Sequence, residues 1–363
     1  MKILLVGEYS NVHATLALGL RELGHQVTVI SNGDFFKDYP RDIDVARKPG
    51  PFGGILLMAK LYCLLPKMRG YDVVQLINPI FFELKAERLF WFYRYLRKHN
   101  KRVFLGAFGM DYYWADTCTN QKPLRYSDFN IGDKVRTDAE ATHYQSDWLG
   151  TAKEQLNKFI ANDCDGIIAG LYEYWACYHP VFAHKTCFIP FPIKLADSYN
   201  TERAQISKVV IFIGINRQRS VYKGTHIMLR AAKDVQHKYP QHTKLNIAES
   251  VPFDEYQKLM EGSDAILDQL YAYTPSMNPL LAMSKGIICI GGGEPENYEI
   301  INETELRPII NVEPTYDSVY HELEQLVLNP DRIPELKRQS VEYVRKHHDY
   351  LKVAQQYLDF WTK

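Results

Sequence analysis

The run Gly214-Ile215-Asn216-Arg217-Gln218-Arg219-Ser220-Val221-Tyr222-Lys223-Gly224 sits between an apolar stretch, Lys208 to Ile213, and a helical pattern that opens at Thr225. Two arginines and a lysine therefore gather in a strand-to-helix loop, where unpaired backbone amides and the helix dipole already favour an anion. Fixed cations in such a loop could neutralise charge developing on a diphosphate leaving group; the alternative is a solvated basic loop. A second anion seat is offered by Tyr273-Thr274-Pro275-Ser276-Met277-Asn278-Pro279-Leu280. Ser276 suits an N-cap, and Pro279 is tolerated in a first helical turn that needs no donor there. The amides of Met277, Asn278 and Leu280 are then expected to lack intrahelical partners and to be available to phosphate oxygens. An ordinary capped helix start competes with this reading.

Other chemistry-bearing residues are more scattered. In Gly291-Gly292-Gly293-Glu294-Pro295-Glu296-Asn297-Tyr298-Glu299 the glycines let backbone approach a ligand closely, and the carboxylates that follow, Glu294 and Glu299 among them, could bind sugar hydroxyls; a tight turn plus a helix rich in N-terminal acid is the alternative. Asp111 follows the run Val103 to Ala107, at the carboxyl end of an expected strand. It could contact an acceptor hydroxyl or simply cap a helix. His13, in the first turn after the first strand, is open to the same two readings, and Tyr112, Tyr113 and Trp114 offer either sugar-stacking surface or core. The first strand-to-helix turn, Gly7-Glu8-Tyr9-Ser10-Asn11, lacks the GxGxxG that brings backbone against a pyrophosphate. GxxxxGK[ST], HExxH and GxSxG are absent as well, and together these absences weigh against nicotinamide, P-loop and α/β-hydrolase chemistry.

The elements that must position these residues repeat a simple pattern. Ile3 to Val6 reads as a buried parallel strand, Ala14 to Leu23 as a helix closed by Gly24, and Gln26 to Ser31 as a second strand. Strands are expected at Val73 to Ile77, Val103 to Ala107, Gly166 to Ala169 and Thr186 to Ile189, with helices over Phe82 to His99 and Trp148 to Ala161. After Ile189-Pro190-Phe191-Pro192-Ile193 comes a polar stretch, Lys194 to Ser207, with the look of a hinge. The pattern then restarts: a strand at Lys208 to Ile213, a helix over Thr225 to His237, and strands at Leu245 to Ala248, Ala265 to Leu267 and Ile287 to Ile290. Two successive α/β domains joined near residue 193 are expected. Because such sheets bind ligands beyond the carboxyl ends of their strands, the site is expected in a cleft between the domains.

Length and composition agree with this plan. A chain of 363 residues suits two domains, and 46% apolar with 13% aromatic residues suffices for full cores. The 43 basic and 43 acidic residues cancel, which argues against nucleic acid as a partner. Six cysteines without a CxxC pair suggest buried thiols in a reducing cytosol rather than a disulfide framework or a zinc site. The N-terminus is too short in apolar residues for a signal peptide, and no run is long enough to span a bilayer. Two stretches invite peripheral membrane contact instead: apolar Ile55 to Leu65, and Phe82 to Arg102 with its interleaved aromatics and cations. Ordinary domain helices are the competing account.

On these residues the chain resembles the retaining nucleotide-sugar glycosyltransferases of the GT-B fold, in the large bacterial "group 1" family. Met1 to Val6 with Leu20-Arg21-Glu22-Leu23-Gly24-His25-Gln26-Val27-Thr28-Val29 is similar to that family's first β-α-β, and Ile189 to Ile193 to its passage between domains. Gly214 through Lys223-Gly224 resembles its phosphate-binding loop, with Arg217 or Arg219 as the arginine that accompanies the lysine. Leu280-Leu281-Ala282-Met283-Ser284-Lys285-Gly286 is similar to the helix that normally reads Leu-Glu-Ala-Met-x-x-Gly. Here the sequence departs from the family. Where two glutamates are usual, Tyr273 and Leu281 stand, and a leucine cannot accept a hydrogen bond from a ribose hydroxyl. Ribose recognition would then pass to Glu294 or Glu299, or the donor differs, or transfer has been lost.

The resemblance implies an α/β GT-B fold of two Rossmann-like doubly wound domains facing an interdomain cleft. Its parts would be an acceptor-side domain over 1–192, a nucleotide-sugar-binding domain over 193–345, and a helix over 346–363 crossing back to the first domain. It implies transfer of a sugar from a UDP- or GDP-linked donor to a glycan or lipid-linked acceptor with retention, in surface polysaccharide biosynthesis. Asp111, Arg217 and Lys223 would be catalytic; Gly214, Arg219, Ser276, Met277, Asn278, Glu294 and Glu299 would bind the donor; His13 would lie on the acceptor side. No cofactor or essential metal is implied, and the location would be cytoplasmic, at the inner face of the membrane. A sugar-nucleotide-binding protein without transfer, or a GT-B epimerase or phosphorylase, is the alternative.

Overall fold

The computed structural model describes residues 1–195 and 208–363. The expected hinge over Lys194–Ser207 lies, from residue 196 on, outside the described residues. Two compact units make up the rest. The first comprises Met1–Pro123, His143–Pro192 and Tyr350–Lys363; the second comprises Leu124–Thr142 and Ile193–Asp349.

A seven-stranded parallel sheet is the centre of the first unit. Its strands are β1 (Lys2–Val6), β2 (Gln26–Ser31), β3 (Ile43–Asp44), β4 (Val73–Leu76), β5 (Arg102–Ala107), β6 (Gly166–Ala169) and β7 (Thr186–Phe188), in the order β3-β2-β1-β4-β5-β6-β7. Ile3, Leu4, Leu5 and Val6 are fully buried, because helices cover both faces of a parallel sheet and leave no polar side to alternate with. Glu8 fixes the helix Val12–Glu22 after β1: its carboxylate accepts from the amides of His13 (3.2 Å) and Ala14 (2.8 Å), although Asn11 provides no side-chain cap. The C-terminal helix Tyr350–Thr362 packs on that helix and is tied to the sheet, the Trp361 indole donating to Gln75 Oε1 at 3.3 Å.

In the second unit a four-stranded parallel sheet contains β8 (Val209–Ile215), β9 (Thr243–Glu249), β10 (Ala265–Leu267) and β11 (Ile288–Ile290), ordered β9-β8-β10-β11. A buried ion pair, Lys337 with Asp264 at 2.8 Å, fastens the helix Ile333–His347 to the start of β10. The other oxygen of Asp264 accepts the Val210 amide at 2.8 Å, so the charge is also hydrogen-bonded.

Several boundaries differ from the sequence reading. The helix expected over Trp148 to Ala161 runs from Ala152 to Asp163, because Trp148 ends a separate helix, Ala139–Trp148, Gly150 adopts a positive φ, and Thr151 caps the later helix through the Lys153 amide. The helix expected from Phe82 begins at Ala86. Strand β3 and a hairpin of Asn130–Ile131 with Lys134–Val135 carry too few residues for a periodic signal. Residues 124–142, which the sequence reading places within 1–192, pack in the second unit, where their polar side chains find their partners.

Candidate functional site

A polar cluster forms at the carboxyl ends of β8 and β10. Lys223 ends the short helix Ser220–Lys223, and Gly224 closes it with φ near 70°, a turn in which a Cβ would come 2.6 Å from Leu270 Cβ. The Leu270 amide donates to the Lys223 carbonyl at 2.9 Å, fixing this turn against the loop after β10. That loop begins with Asp268. Burial pushes its carboxyl up to about 6, opposed by the Lys223 ammonium and by side-chain hydrogen bonds from Asn278 and Gln269. Asn278, in the first turn of the helix Met277–Ser284, also donates to Tyr256 Oη at 2.7 Å. Gly214 completes the group: a Cβ there would lie 2.4 Å from the Tyr256 ring, so this glycine admits an aromatic ring.

Lys223, Asn278 and Gly214 thus come together, through Asp268 and Tyr256. Arg217 does not join them; it is exposed and pairs with Glu249 through contacts of 2.6 and 3.1 Å. Arg219 approaches Glu140 at 3.7 Å and lies over the Tyr222 ring. Ser276 has the extended backbone of an N-cap but its hydroxyl caps nothing, and the Leu280 amide, expected to be unpaired, donates to the Ser276 carbonyl at 3.1 Å. The amides of Met277 and Asn278 remain at the helix start, where no intrahelical acceptor exists.

Residues 124–142 lie against the same strand ends. The Arg125 guanidinium donates to both oxygens of Glu296 (2.6 and 3.0 Å) and to Glu294 Oε2 (2.6 Å), 4.9 Å over the Tyr273 ring. Its amide donates to Tyr273 Oη at 2.6 Å, and the Tyr126 hydroxyl donates to Glu294 Oε1. Both carboxylate oxygens of Glu294 therefore serve this segment, while Glu299 is exposed on the helix Pro295–Ile300. Arg136 is buried; it pairs with Asp138 at 3.0 Å and donates to the carbonyls of Tyr222 (3.0 Å) and Val221 (3.1 Å). Asp128 accepts the Tyr222 hydroxyl at 2.7 Å. The turn that carries Lys223 is thereby held from one side by this segment.

In the first unit, Asp111 is fully buried and caps the helix Tyr112–Asp116, accepting from the Trp114 amide at 2.9 Å and from Tyr178 Oη at 2.7 Å. Burial pushes its carboxyl up to about 7. The capping alternative is the one its geometry shows. His13 is also fully buried, edge-on to Phe108. Its Nδ1 lies 2.8 Å from the Gly7 carbonyl and so must carry the proton, which leaves the buried Nε2 as an acceptor without a protein partner. Burial holds this ring down to about 3, neutral at physiological pH. A hollow of about 530 Å³ in this unit, lined by Tyr112, Lys158, Phe182 and Lys185 among others, includes neither residue.

Asp268 escaped the sequence reading although it was findable. Asp111 drew attention by following a strand, and Asp268 follows β10 in the same way. Arg125 and Arg136 gave no such signal, since nothing in the sequence tells which unit their segment joins.

The state of Asp268 yields a pH prediction. A carboxyl whose folded value is raised from 3.8 to about 6 binds its proton more tightly in the folded chain, so its contribution to stability is complete below the unfolded value and is lost as pH rises through the folded one. Asp268→Asn does not titrate. Between about pH 4 and pH 7 the variant should therefore lose less stability than the parent. Parallel urea titrations across that range measure the difference, and identical slopes would contradict the assignment.

No protein-family profile matches the chain, and no curated protein matches it by sequence. Solved structures do. Alr3699/HepE of Anabaena, in complex with UDP-glucose, matches with a TM-score of 0.62 at 12% identity over 100% of this chain and 99% of that one. WaaG, a glycosyltransferase involved in lipopolysaccharide biosynthesis, matches with a TM-score of 0.58 at 11% identity over 100% of both chains. The UDP-GlcNAc 2-epimerase of Neisseria meningitidis, bound to UDP-GlcNAc, gives 0.54 at 13% identity over 99% of both. At such identities the likeness is one of fold. The chain has the α/β GT-B fold, with two Rossmann-like units.

Proposed function

We propose that the chain transfers a sugar from a nucleotide diphosphate donor to a hydroxyl of a glycan or lipid-linked acceptor, with anomeric configuration retained, in surface polysaccharide assembly at the cytoplasmic face of a membrane. The observation that carries this reading is the convergence of Lys223 and the first turn of Met277–Ser284 on Asp268, within a fold shared with UDP-glucose-bound HepE and with WaaG.

Without donor, Asp268 balances the Lys223 ammonium. A bound diphosphate would take over that ammonium, and Asp268, already easily protonated, would keep its hydrogen bonds from Asn278 and Gln269 as a neutral acid. The amides of Met277 and Asn278 would point at the same phosphate oxygens. As the sugar–phosphate bond breaks, charge grows on the leaving diphosphate, and a preplaced cation stabilises that state more than the ground state. Neutral His13, with an unpartnered Nε2, would accept a hydrogen bond from an acceptor hydroxyl.

A thermal-shift screen of UDP, GDP, ADP and CMP with their sugar conjugates tests the reading. A UDP or GDP pair should raise the melting temperature, and the anomer formed should match the donor's. No shift with any nucleotide would end it. A second reading, sugar-nucleotide 2-epimerisation, is favoured by the likeness to the Neisseria epimerase together with Tyr273 and Leu281 in place of the usual glutamates. Release of an epimerised sugar without acceptor would identify it.

A further inference from the structure

We propose that the hollow of about 530 Å³ in the first unit binds an anionic sugar, a hexose carrying a carboxylate or a phosphate. Three helices wall it: Tyr112–Asp116, Ala152–Asp163 and Tyr172–Phe182. Buried Asn157 ties them together, its side-chain oxygen accepting the Tyr112 amide at 3.0 Å and its side-chain nitrogen donating to the Tyr178 hydroxyl at 3.0 Å. Tyr113 packs edge-on against Tyr112 (5.1 Å) and Phe182 (5.4 Å), so rings held by one another form one side of the space. The first of these helices continues into a π-helical turn, Thr117–Gln121, of the wide kind found mostly at functional sites, and that turn brings Thr117 and Gln121 to the hollow. The volume is that of a small-molecule site, and its walls are already formed.

Charge selects the class of ligand. The Lys158 ammonium lies 4.4 Å over the Tyr112 ring and the Lys185 ammonium 5.5 Å over the Phe182 ring, so the aromatic side carries two cations. His184 adds an imidazole, and Asp116 is the one acid among the described residues that line the space. Asp116 already accepts from Asn120 at 2.8 Å, and Glu154, which pairs with Lys158 at 2.6 Å, also accepts the Gly150 amide. Lys185 is oriented by two neutral acceptors, the carbonyls of Asn162 (2.8 Å) and Cys164 (3.0 Å), which leave its charge uncancelled and its third donor for a ligand. An anion is therefore favoured over a neutral or cationic molecule. Thr117, Gln121 and Asn162 add a hydroxyl and two amides, which suit a ring of hydroxyls better than a bare inorganic ion. The lining belongs wholly to the first unit, whereas Lys223, Asp268 and Asn278 belong to the second. Asn162 and Lys185 stand just before β6 and β7, toward the amino ends of the strands, while the usual ligands of such sheets bind beyond the carboxyl ends.

Binding here can be read on the full chain without donor or acceptor, so it stands or falls independently of transfer. Calorimetric titration with glucuronate and with glucose 6-phosphate separates the two sources of charge; saturable binding of either supports the proposal and identifies the anionic group. Glucose and inorganic phosphate should each bind at least about tenfold more weakly, since each lacks half of the recognised chemistry. Lys158→Ala/His184→Ala, at exposed positions, should weaken binding at least about tenfold with an unchanged melting temperature. Val181→Trp, at a half-exposed lining position, adds bulk while keeping every charge, and should abolish binding. The bound sugar should slow hydrogen exchange at amides of 112–121 and 181–185. No heat with either anionic sugar, inorganic phosphate bound as tightly as both, or parent-like affinity in either variant overturns the proposal. So does protection at 220–224 in place of 112–121, which would seat the ligand in the second unit.

Discussion

Lys223→Ala is expected to lower turnover by about 10²- to 10³-fold, the cost of removing one preplaced electrostatic stabiliser from a leaving group. The fold should survive. The backbone of residue 223, whose carbonyl accepts the Leu270 amide, is untouched, and Gly224 still supplies the left-handed turn. What the substitution strands is Asp268, and that carboxyl has an easy escape: without the ammonium its proton affinity rises above the present value of about 6, so it takes up a proton more readily than in the parent. The melting temperature should therefore fall by only a few degrees. Steady-state kinetics separate the contributions. Loss confined to kcat marks a cation used in the transition state, whereas loss confined to KM marks uniform binding. Unchanged kcat/KM would remove Lys223 from the chemistry, and with it the cluster as a diphosphate site.

Arg217 illustrates why the cluster was only half legible. Composition and position gave Arg217, Arg219 and Lys223 equal claims, since all three lie in one strand-to-helix loop. What separates them is which turn of the loop each occupies. Arg217 and Arg219 fall in a single 3₁₀ turn, Arg217 reaching Glu249 at the end of β9, whereas Lys223 falls on the last residue before Gly224, beside β10. A shift of a few residues in a loop moves a side chain from one strand's end to another's, and no periodicity records it.

The fold was more readable because it rests on repetition. Continuous apolar runs such as Ile3–Val6 and Ile211–Ile213, each followed by a helix, determine a parallel sheet without reference to distant partners. The short strands and the hairpin were missed for the converse reason, since two residues define no period. Segment 124–142 was misplaced on different grounds. Its buried residues include Tyr126, Phe129, Asn130 and Arg136, which follow neither helical nor strand spacing; Asn130 bonds locally to Leu124 and Gly132, whereas Tyr126 and Arg136 are held by pairwise polar chemistry with residues far along the chain. Such pairings are invisible until coordinates bring the partners together.

Arg136 is where that pairwise chemistry concentrates, and Arg136→Ala is the substitution expected to cost most stability. The guanidinium donates to the Tyr222, Val221 and Ser127 carbonyls, pairs with Asp138, and lies 4.0 Å over the Tyr271 ring. Removing one member of a buried ion pair leaves the other uncompensated, typically about 3–5 kcal/mol. Arg136→Lys should fall between the two, because an ammonium lacks the planar fork that spans two carbonyls while stacking on a ring. In a chain of two units a single melting temperature blurs such an effect, so hydrogen exchange is the sharper measure. Arg136→Ala should raise exchange at amides of 124–142 and 220–224 while leaving β1 and β4 of the first unit protected. Because the Val221 and Tyr222 carbonyls belong to the turn that presents Lys223, nucleotide affinity should fall as well. Arg125→Ala provides the contrast: its side chain is largely exposed, Tyr126 still holds Glu294, and exchange at 220–224 should stay near the parent level. Faster exchange in Arg136→Ala without weaker nucleotide binding would reduce the segment to packing. Weaker binding in both variants would instead place Arg125 itself at the ligand.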